Sequence, residues 1–203
     1  MRSRIIAGTF AAATLAASAI VPASAAPGDS VELNLLATTD VHGHVMNWDY
    51  FRDAPYPEGK ELGLARVDSI IQAKRAAAKS PDSVLVVDNG DAIQGTPLTY
   101  LAMQKDKLGF DKHPMATAFN LIGYDALVVG NHEYNYGLDK LAKYESELDA
   151  PLLGANVIDV ATDKPAHKPY QIFTRTIDGH EVRSACSGLR ISPSSTRTAG
   201  TVA

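Results

Sequence analysis

The sequence has one cysteine, Cys186, among 203 residues. A single cysteine excludes an intramolecular disulfide, so the fold must be stabilised by its core rather than by covalent cross-links. A leftover thiol is also unusual in a protein that is exported to an oxidising compartment. The length suffices for one domain with a substantial core and is short for two, so we expect a single domain.

Basic residues are also scarce. The chain carries 19 Lys and Arg against 23 Asp and Glu, which gives a formal net charge of -4. Wrapping a nucleic-acid polymer requires clustered Lys and Arg that release counterions from phosphates, so the composition argues against a nucleic-acid partner. If the substrate carries a phosphate, another source of positive charge must receive it.

The N-terminal residues 1–25 have the pattern of a secretory signal peptide. Arg2 and Arg4 precede an apolar run, and the small residues "ASA" end it. Pro22 interrupts the run short of the roughly 20 apolar residues that a membrane span requires, so we expect no stable membrane anchor. We expect cleavage after Ala25 and export to the periplasm, the cell wall or the extracellular space. Cleavage removes two arginines and no acidic residue, which leaves 17 basic against 23 acidic residues.

Strand-like and helix-like segments alternate along the rest of the chain. The apolar runs at 31–40, 83–88, 126–129 and 151–157 predict strands, and the segments 61–80, 115–124 and 138–149 have helical spacing. This alternation predicts an α/β fold with βαβ crossovers and a largely parallel sheet. Residues 170–182 differ, because two β-rich pieces flank Asp178-Gly179, a dipeptide that favours a hairpin turn.

Three of the predicted strands end in polar clusters. In a parallel sheet ligands bind at the carboxyl ends of the strands, so the clusters are expected to converge in one crevice. Asp, His and Asn supply the oxygen and nitrogen donors that divalent metals prefer. Each cluster alone is also compatible with turn chemistry or a structural hydrogen bond. The clusters are Asp40, His42 and His44; Asp88, Asn89 and Asp91; and Asn131, His132, Glu133 and Asn135.

The order Asp-x-His, Gly-Asp and Gly-Asn-His-Glu resembles the metallophosphoesterase superfamily. Within it, "TTDVHGHVMNWDYF", "DNGDAIQGTPL" and "MATAFNLIGYDALVVGNHEYNYGL" are similar to the exported 2′,3′-cyclic-nucleotide 2′-phosphodiesterase/3′-nucleotidase branch of the 5′-nucleotidase family. The resemblance runs from about residue 31 to about residue 182. It implies the N-terminal half of an α-β-β-α metallophosphoesterase sandwich, and we expect the sandwich to be incomplete in this chain.

The resemblance implies a role for each matching residue. Asp40 and His42 would bind one metal, Asp91 would bridge two metals, and Asn131 would bind the second. His132 would contact the scissile phosphate or protonate the leaving oxygen. Two divalent ions are implied, and the sequence does not distinguish among Zn, Mn, Mg, Ca and Co. Such a pair clamps the attacking and leaving oxygens and neutralises a phosphate that an acidic chain would otherwise repel.

Asn135 departs from the pattern of the 5′-nucleotidases proper, which usually have an aspartate three positions after the catalytic histidine. An amide orients the ring of His132 but does not stabilise an imidazolium as a carboxylate does. The motif "NHEYNYG" therefore favours the cyclic-phosphodiesterase branch, which acts on 2′,3′-cyclic nucleotides and 3′-nucleotides. A 5′-nucleotidase or a nucleotide-sugar hydrolase is the alternative. Glu133 and Tyr134 are left outside the catalytic set, since either could bond to the loop or face solvent.

The later histidines that complete a two-metal site in this family are not found. His113, His167 and His180 are interpreted as surface residues, and Val182 stands where Gly-His-x-His would have its second histidine. We expect a partial metallophosphoesterase domain at 26–182. The segment 183–203 is expected to be an aberrant or disordered tail, because its composition changes abruptly to Ser, Thr, Arg and Ala. A reading-frame shift near its start is one hypothesis.

Three hypotheses about activity remain open. In the first, the chain is the N-terminal part of an exported, two-metal hydrolase of nucleotide phosphoesters. In the second, it is an inactive fragment that binds a divalent metal weakly through Asp40, His42 and Asp91, or that does not fold at all. In the third, a partner chain supplies the missing histidines, although no obligate protein partner is inferred from the sequence.

Overall fold

The computed structural model describes residues 30–104, 110–189 and 197–198. The predicted signal peptide, residues 1–25, lies outside the described residues. None of the helices in these ranges combines the length and the apolar character that crossing a membrane requires.

Four parallel strands form the central sheet. They are β1 (Asn34–Thr38), β2 (Val84–Asp88), β3 (Ala126–Val128) and β4 (Leu152–Leu153), and they lie side by side in chain order. The register pairs Thr38 with Asp88, so β1 and β2 end level with each other. The sheet confirms the predicted α/β class and brings the carboxyl ends of the strands to one edge.

Helices connect the strands and cover one face of the sheet. They are α1 (Leu64–Ala77), α2 (Pro97–Met103), α3 (Pro114–Ile122) and α4 (Leu138–Glu147). Because the strand order follows the chain order and parallel crossovers are right-handed, successive helices fall on the same face. Helix α3 accordingly packs against α1, α2 and α4. The core under this layer includes Leu64, Ile71, Val86, Met115, Phe119, Leu127, Leu141 and Tyr144.

Local chemistry fixes the ends of two helices. Helix α2, which the sequence analysis did not predict, begins with a capping box between Thr96 and Thr99 and has Pro97 in its first turn. Helix α3 ends at Gly123, whose φ of 75° lies in the left-handed region that terminates helices. The Arg75 side chain of α1 donates hydrogen bonds to the last carbonyls of α3, which ties the two helices together.

The other face of the sheet is covered by an antiparallel hairpin of β7 (Tyr170–Ile177) and β8 (His180–Ser187). Phe173 and Cys186 of the hairpin pack on a small cluster formed by Ala126, Val128 and Leu153. The turn at Asp178-Gly179 has φ values of 49° and 82°, and both positive angles are typical of a type I′ turn. The predicted hairpin is confirmed. This face is less covered than the helical one, and the Leu35 side chain of β1 remains 62% exposed.

Strand β8 continues beyond residue 182, where the sequence analysis ended the domain. Its register pairs Thr174 with Arg183 and Tyr170 with Ser187. Most of the expected tail lies outside the described residues, so its disorder stays a prediction. Short strands complete the description: β5 (Ile158–Asp159) pairs with β6 (Lys164–Pro165) and with the backbone of β9 (Arg197–Thr198).

Candidate metal and catalytic site

The loops after β1 and β2 are joined by backbone hydrogen bonds at the carboxyl edge of the sheet. The N–H of Asp40 donates to the carbonyl of Gly90 over 3.0 Å, and the N–H of His42 donates to the carbonyl of Asp91 over 3.0 Å. Because the parallel register already aligns the two strand ends, these bonds place the side chains of both loops over the same region.

Asp40, His42 and Asp91 form a compact donor cluster. Each offers one ligand atom, and these atoms all lie within 4.8 Å of one another. The Nε2 atom of His42 is 3.8 Å from a carboxylate oxygen of Asp40. Two carboxylates and an imidazole, open to solvent on one side, are a donor set that fits a divalent ion. The structure thus brings together three of the four residues that were predicted as metal ligands.

The backbone of these three residues is strained. The φ angles of Asp40, His42 and Asp91 are 53°, 44° and 58°, all in the left-handed region that non-glycine residues rarely adopt. Each such conformation costs about 1–3 kcal/mol and persists only where surrounding contacts maintain it. Strain of this kind clusters at functional sites, and here it falls on all three members of the donor cluster.

A carbonyl fixes the orientation of the His42 ring. Its Nδ1 atom lies 2.7 Å from the backbone oxygen of Gln94. A carbonyl only accepts, so Nδ1 carries the proton and Nε2 keeps its lone pair. That lone pair faces Asp40, which is the arrangement a metal-ligating histidine requires.

The loop after β3 contributes the other half of the site. Asn131 lines a cleft of about 210 Å³ together with Asp40 and Asp91. The ring centroids of His132 and His42 are 5.3 Å apart. The backbone N–H of His132 donates to the Asp91 carboxylate over 2.8 Å. The fourth predicted ligand therefore opens onto the same cleft, and the ring of the predicted acid–base histidine lies beside that of His42.

Asn135 contacts the His132 ring. Its Nδ2 atom is 3.1 Å from Nδ1 of His132. An amide nitrogen donates, so Nδ1 accepts and the proton of the neutral ring lies on Nε2. This is the orienting contact that the sequence analysis expected of an amide at this position.

Glycine is required where the two loops approach each other. A Cβ atom at Gly130 would lie 2.1 Å from a carboxylate oxygen of Asp91, and one at Gly90 would lie 2.4 Å from the nitrogen of Gly130. Both distances are far below van der Waals contact. The Gly-Asp and Gly-Asn dipeptides are therefore explained by the close packing of the loops.

Glu133 is the residue of this region that sequence reasoning missed. It is 1% exposed, and its carboxylate accepts backbone N–H bonds from Asp91, Ala92 and Gly130 over 2.9, 2.6 and 2.7 Å. It therefore bonds to the loops and does not face solvent. The available signal was its place in Gly-Asn-His-Glu, directly after the loop glycine and the two donors.

Two of the three remaining histidines are buried, so their interpretation as surface residues is wrong. His113 caps α3, where its Nδ1 accepts the N–H of Met115. The His167 side chain is 7% exposed because it lies between the hydroxyl of Tyr134 and the carboxylate of Glu145. His180 is exposed in the hairpin, as expected.

His44 and Asp88 are two further polar residues close in sequence to the donor cluster. The pKa of His44 is lowered, mainly because the side chain is partly buried. Its ring packs edge-on against Tyr56. Burial raises the pKa of Asp88 to about 7, although hydrogen bonds from Thr38 and from the N–H of Gly90 oppose this shift. Asp88 is therefore a buried carboxyl at the end of β2, next to the loop that carries the cluster.

Curated relatives of this sequence are nucleotide phosphoesterases. The chain is 44% identical over 159 residues to the 2′,3′-cyclic-nucleotide 2′-phosphodiesterase/3′-nucleotidase of Yersinia enterocolitica, which covers 78% of this chain and 23% of that protein. It is 42% identical over 158 residues to the trifunctional nucleotide phosphoesterase protein YfkN of Bacillus subtilis, covering 76% of this chain and 10% of that protein. No family model matches the chain.

Solved structures have the same fold. The calcineurin-like phosphoesterase YfkN from Bacillus subtilis superposes with a TM-score of 0.69 at 38% identity, covering 79% of this chain and 48% of that chain. The NAD nucleotidase NadN of Haemophilus influenzae gives a TM-score of 0.57 at 27% identity, covering 80% of this chain and 27% of that chain. The chain spans about a quarter of the length of the Yersinia relative and matches its N-terminal part. Over its matched residues the chain therefore has the fold of the calcineurin-like phosphoesterases and is similar in sequence to the N-terminal part of 2′,3′-cyclic-nucleotide 2′-phosphodiesterase/3′-nucleotidases.

Proposed function

We propose that this chain carries the N-terminal part of a metal-dependent hydrolase of nucleotide phosphoesters, with 2′,3′-cyclic nucleotides and 3′-nucleotides as its substrates. The observation that carries the proposal is the cluster of Asp40, His42 and Asp91, whose donor atoms lie within 4.8 Å of one another at the strand ends. The names of the curated relatives supply the substrate class.

The donor set fits one of the two divalent ions that the resemblance implies, and it supplies part of the ligands for the other. Asp40, His42 and Asp91 would hold one ion, and Asp91 and Asn131 would contribute to the second. When bound, the ions would supply positive charge for the phosphate and lower the pKa of a water molecule. In a chain with net charge -4, this charge is what allows an anionic substrate to approach.

His132 and Asn135 would handle the proton. The Asn135 amide donates to Nδ1 of His132, so the neutral ring carries its proton on Nε2. An imidazole N–H at this position is suited to give its proton to the leaving oxygen. Asn135 thereby orients the ring without adding a second negative charge beside the phosphate.

Export is part of the proposal and rests on the residue pattern of 1–25. N-terminal sequencing of protein recovered from the culture medium or the periplasm checks it. A mature N-terminus at Ala26 is the expected result, and an intact Met1 in purely cytosolic protein would contradict it.

The test is hydrolysis by the purified chain with Mn²⁺. Release of 3′-nucleotide is measured from 2′,3′-cyclic AMP, release of phosphate from 3′-AMP and 5′-AMP, and release of nucleoside monophosphate from a nucleotide sugar. We expect turnover of the first two substrates, and loss of turnover in His132→Ala. A preference for 5′-AMP or for the nucleotide sugar would instead indicate a 5′-nucleotidase or a nucleotide-sugar hydrolase. Saturable Mn²⁺ binding without any turnover would favour an inactive metal-binding chain.

A further inference from the structure

Glu133 is a buried carboxylate that the proposed reaction does not use. It lies in a short 3-10 turn, His132–Tyr134, that follows the loop after β3, and it is 1% exposed. A buried carboxylate is strongly unfavourable unless hydrogen bonds compensate its charge. The hydrogen bonds to this one come from backbone N–H groups of two separate loops.

Consecutive amides of the loop after β2 surround this carboxylate. Oxygen Oε1 of Glu133 accepts the N–H of Ala92 over 2.6 Å and that of Ile93 over 3.4 Å, while Oε2 accepts the N–H of Asp91 over 2.9 Å. Successive N–H groups that converge in this way form a concave anion-binding nest. The nest in this chain is filled by an anion of the chain itself.

The same carboxylate also binds the loop after β3. Its Oε2 accepts the N–H of Gly130 over 2.7 Å. In the opposite direction, the Asp91 carboxylate accepts the N–H of His132 over 2.8 Å. Each loop therefore donates to a carboxylate of the other, and the pair of contacts fixes the distance between the two halves of the site.

We propose that Glu133 is a positioning residue whose carboxylate fills the amide nest at 91–93 and holds Asp91 and His132 in register before any ion or phosphate binds. The left-handed backbone of Asp91, with a φ of 58°, is the conformation that the nest bonds maintain. The part of the proposal that concerns metal affinity rests on the proposed role of Asp91 as a ligand. The part that concerns the loops does not.

The isosteric variant Glu133→Gln removes the negative charge of the side chain and keeps its shape. It replaces one carboxylate oxygen by an NH₂ group that faces N–H donors, so at least one nest bond is lost. The matched control is Glu147→Gln in α4. Glu147 is also largely buried and also accepts a backbone N–H, that of His113 over 2.6 Å, but it lies in the helical layer.

Amide hydrogen exchange of the metal-free chain, followed by NMR, tests the nest directly. In Glu133→Gln we expect the amides of 91–93 and 130 to exchange about 10-fold to 100-fold faster, beyond any change in global stability. In Glu147→Gln they are expected to change only with global stability. Unchanged relative exchange of these four amides in Glu133→Gln would overturn the proposal.

Mn²⁺ affinity supplies the second readout. We expect Glu133→Gln to weaken binding by about 10-fold to 100-fold, as for other groups that orient a ligand, and Glu147→Gln to leave it unchanged. Equal affinity in Glu133→Gln and the wild type would show a merely structural role. If the wild type binds no Mn²⁺, the proposed metal site fails while the exchange data still decide the nest.

Should Glu133→Gln fail to fold, the wild-type chain decides the question. The four amides must then exchange as slowly as those of β2 and β3, because they open only with the fold. Exchange as fast as in exposed turns would contradict the nest. Glu133→Asp, which keeps the charge but shortens the reach, is expected to fold and to show intermediate protection.

Discussion

The two halves of the strand-end site differ in charge and in constraint. The half after β1 and β2 holds two carboxylates and an imidazole with donor atoms within 4.8 Å, on a backbone strained at all three residues. The half after β3 offers the neutral amides of Asn131 and Asn135 and the His132 ring. In our proposal the first half holds one cation, whereas the second contributes Asn131 to another ion and His132 as the group that moves a proton.

Asp91 and Glu133 connect these halves. Asp91 belongs to the cation-binding half yet accepts an N–H from His132, and Glu133 belongs to the other half yet accepts N–H groups from the loop of Asp91. The carboxylates that line the cleft are therefore concentrated on the loops after β1 and β2, while the hydrogen bonds that fix the geometry of the site come from both halves. Substitutions within the cation-binding half should therefore alter metal affinity. Substitutions at the junction, where Asp91 contacts His132 and Glu133, should alter both halves of the site.

The largest effect is expected for Asp91→Asn. It removes one of the two carboxylates in the cation-binding half and perturbs the contact with His132. We expect the loss of detectable Mn²⁺ binding by calorimetry together with the loss of any phosphoesterase activity. Asp139→Asn, which removes an exposed carboxylate in the first turn of α4, is the control and should retain both. Mn²⁺ binding by Asp91→Asn with wild-type affinity would contradict the assignment of cation binding to the half after β1 and β2.

Asp88 gives a pH dependence of stability. Burial raises its folded-state pKa to about 7 from 3.8, so the folded chain keeps a proton that the unfolded chain releases between these values. The resulting stabilisation is fully present below pH 4 and is lost as the pH rises to about 7. Relative to Asp88→Asn, we expect the free energy of unfolding of the wild type to fall by about 4 kcal/mol over that window. Urea titrations of the metal-free chain at each pH measure it.

Parallel pH slopes for the wild type and Asp88→Asn would contradict this prediction. Such a result would show that the Asp88 carboxyl at the end of β2 is ionised while it accepts hydrogen bonds from Thr38 and Gly90. The support beneath the cation-binding half would then be negatively charged at neutral pH, and the contrast between the halves would be larger.

Gly130→Ala tests the junction by overpacking. The added methyl would meet the Asp91 carboxylate at 2.1 Å, so one loop must move. We expect a loss of about 1–3 kcal/mol of stability in urea and weaker Mn²⁺ binding. Gly59→Ala is the control, because its Cβ has open space and only its φ of 79° is unfavourable. Equal effects at the two glycines would mean that the loops are not tightly packed.

The smallest effect concerns Asn135. Asn135→Ala removes the contact that orients His132, and we expect about a 10-fold drop in kcat for 2′,3′-cyclic AMP with unchanged Mn²⁺ affinity. Asn135→Asp replaces the N–H donor by a carboxylate that accepts from a protonated Nδ1 and so favours the imidazolium, and the alkaline limb of the pH–rate profile should therefore move to higher pH. A drop in metal affinity in Asn135→Ala would place this residue in the cation-binding half instead.

Local patterns made much of the fold predictable. Helices α1, α3 and α4 followed from apolar spacing, and the hairpin followed from Asp178-Gly179, because these signals are contained within a few residues. Helix α2 was missed because it is seven residues long and its start depends on the capping contact of Thr96 with Thr99. Short helices stabilised by a cap leave little periodicity to detect.

The site was predictable as a set of donors and not as a supporting structure. The polar clusters stood out because they follow three strands of one predicted sheet, and the family resemblance selected Asp40, His42, Asp91 and Asn131 among them as ligands. The burial of Glu133 and His167 was not predictable, since their partners lie about 20 to 40 residues away in sequence. Whether a polar side chain is buried depends on which loops the fold brings to it.

Cation binding at the strand ends is tested most directly by anomalous diffraction from a crystal of the chain soaked with Mn²⁺. We predict a peak bounded by the carboxylates of Asp40 and Asp91 and by Nε2 of His42, with Nδ1 of His42 still bonded to Gln94. A peak elsewhere, or no peak at a saturating concentration, would contradict the claim that these three side chains form the cation-binding half of the site.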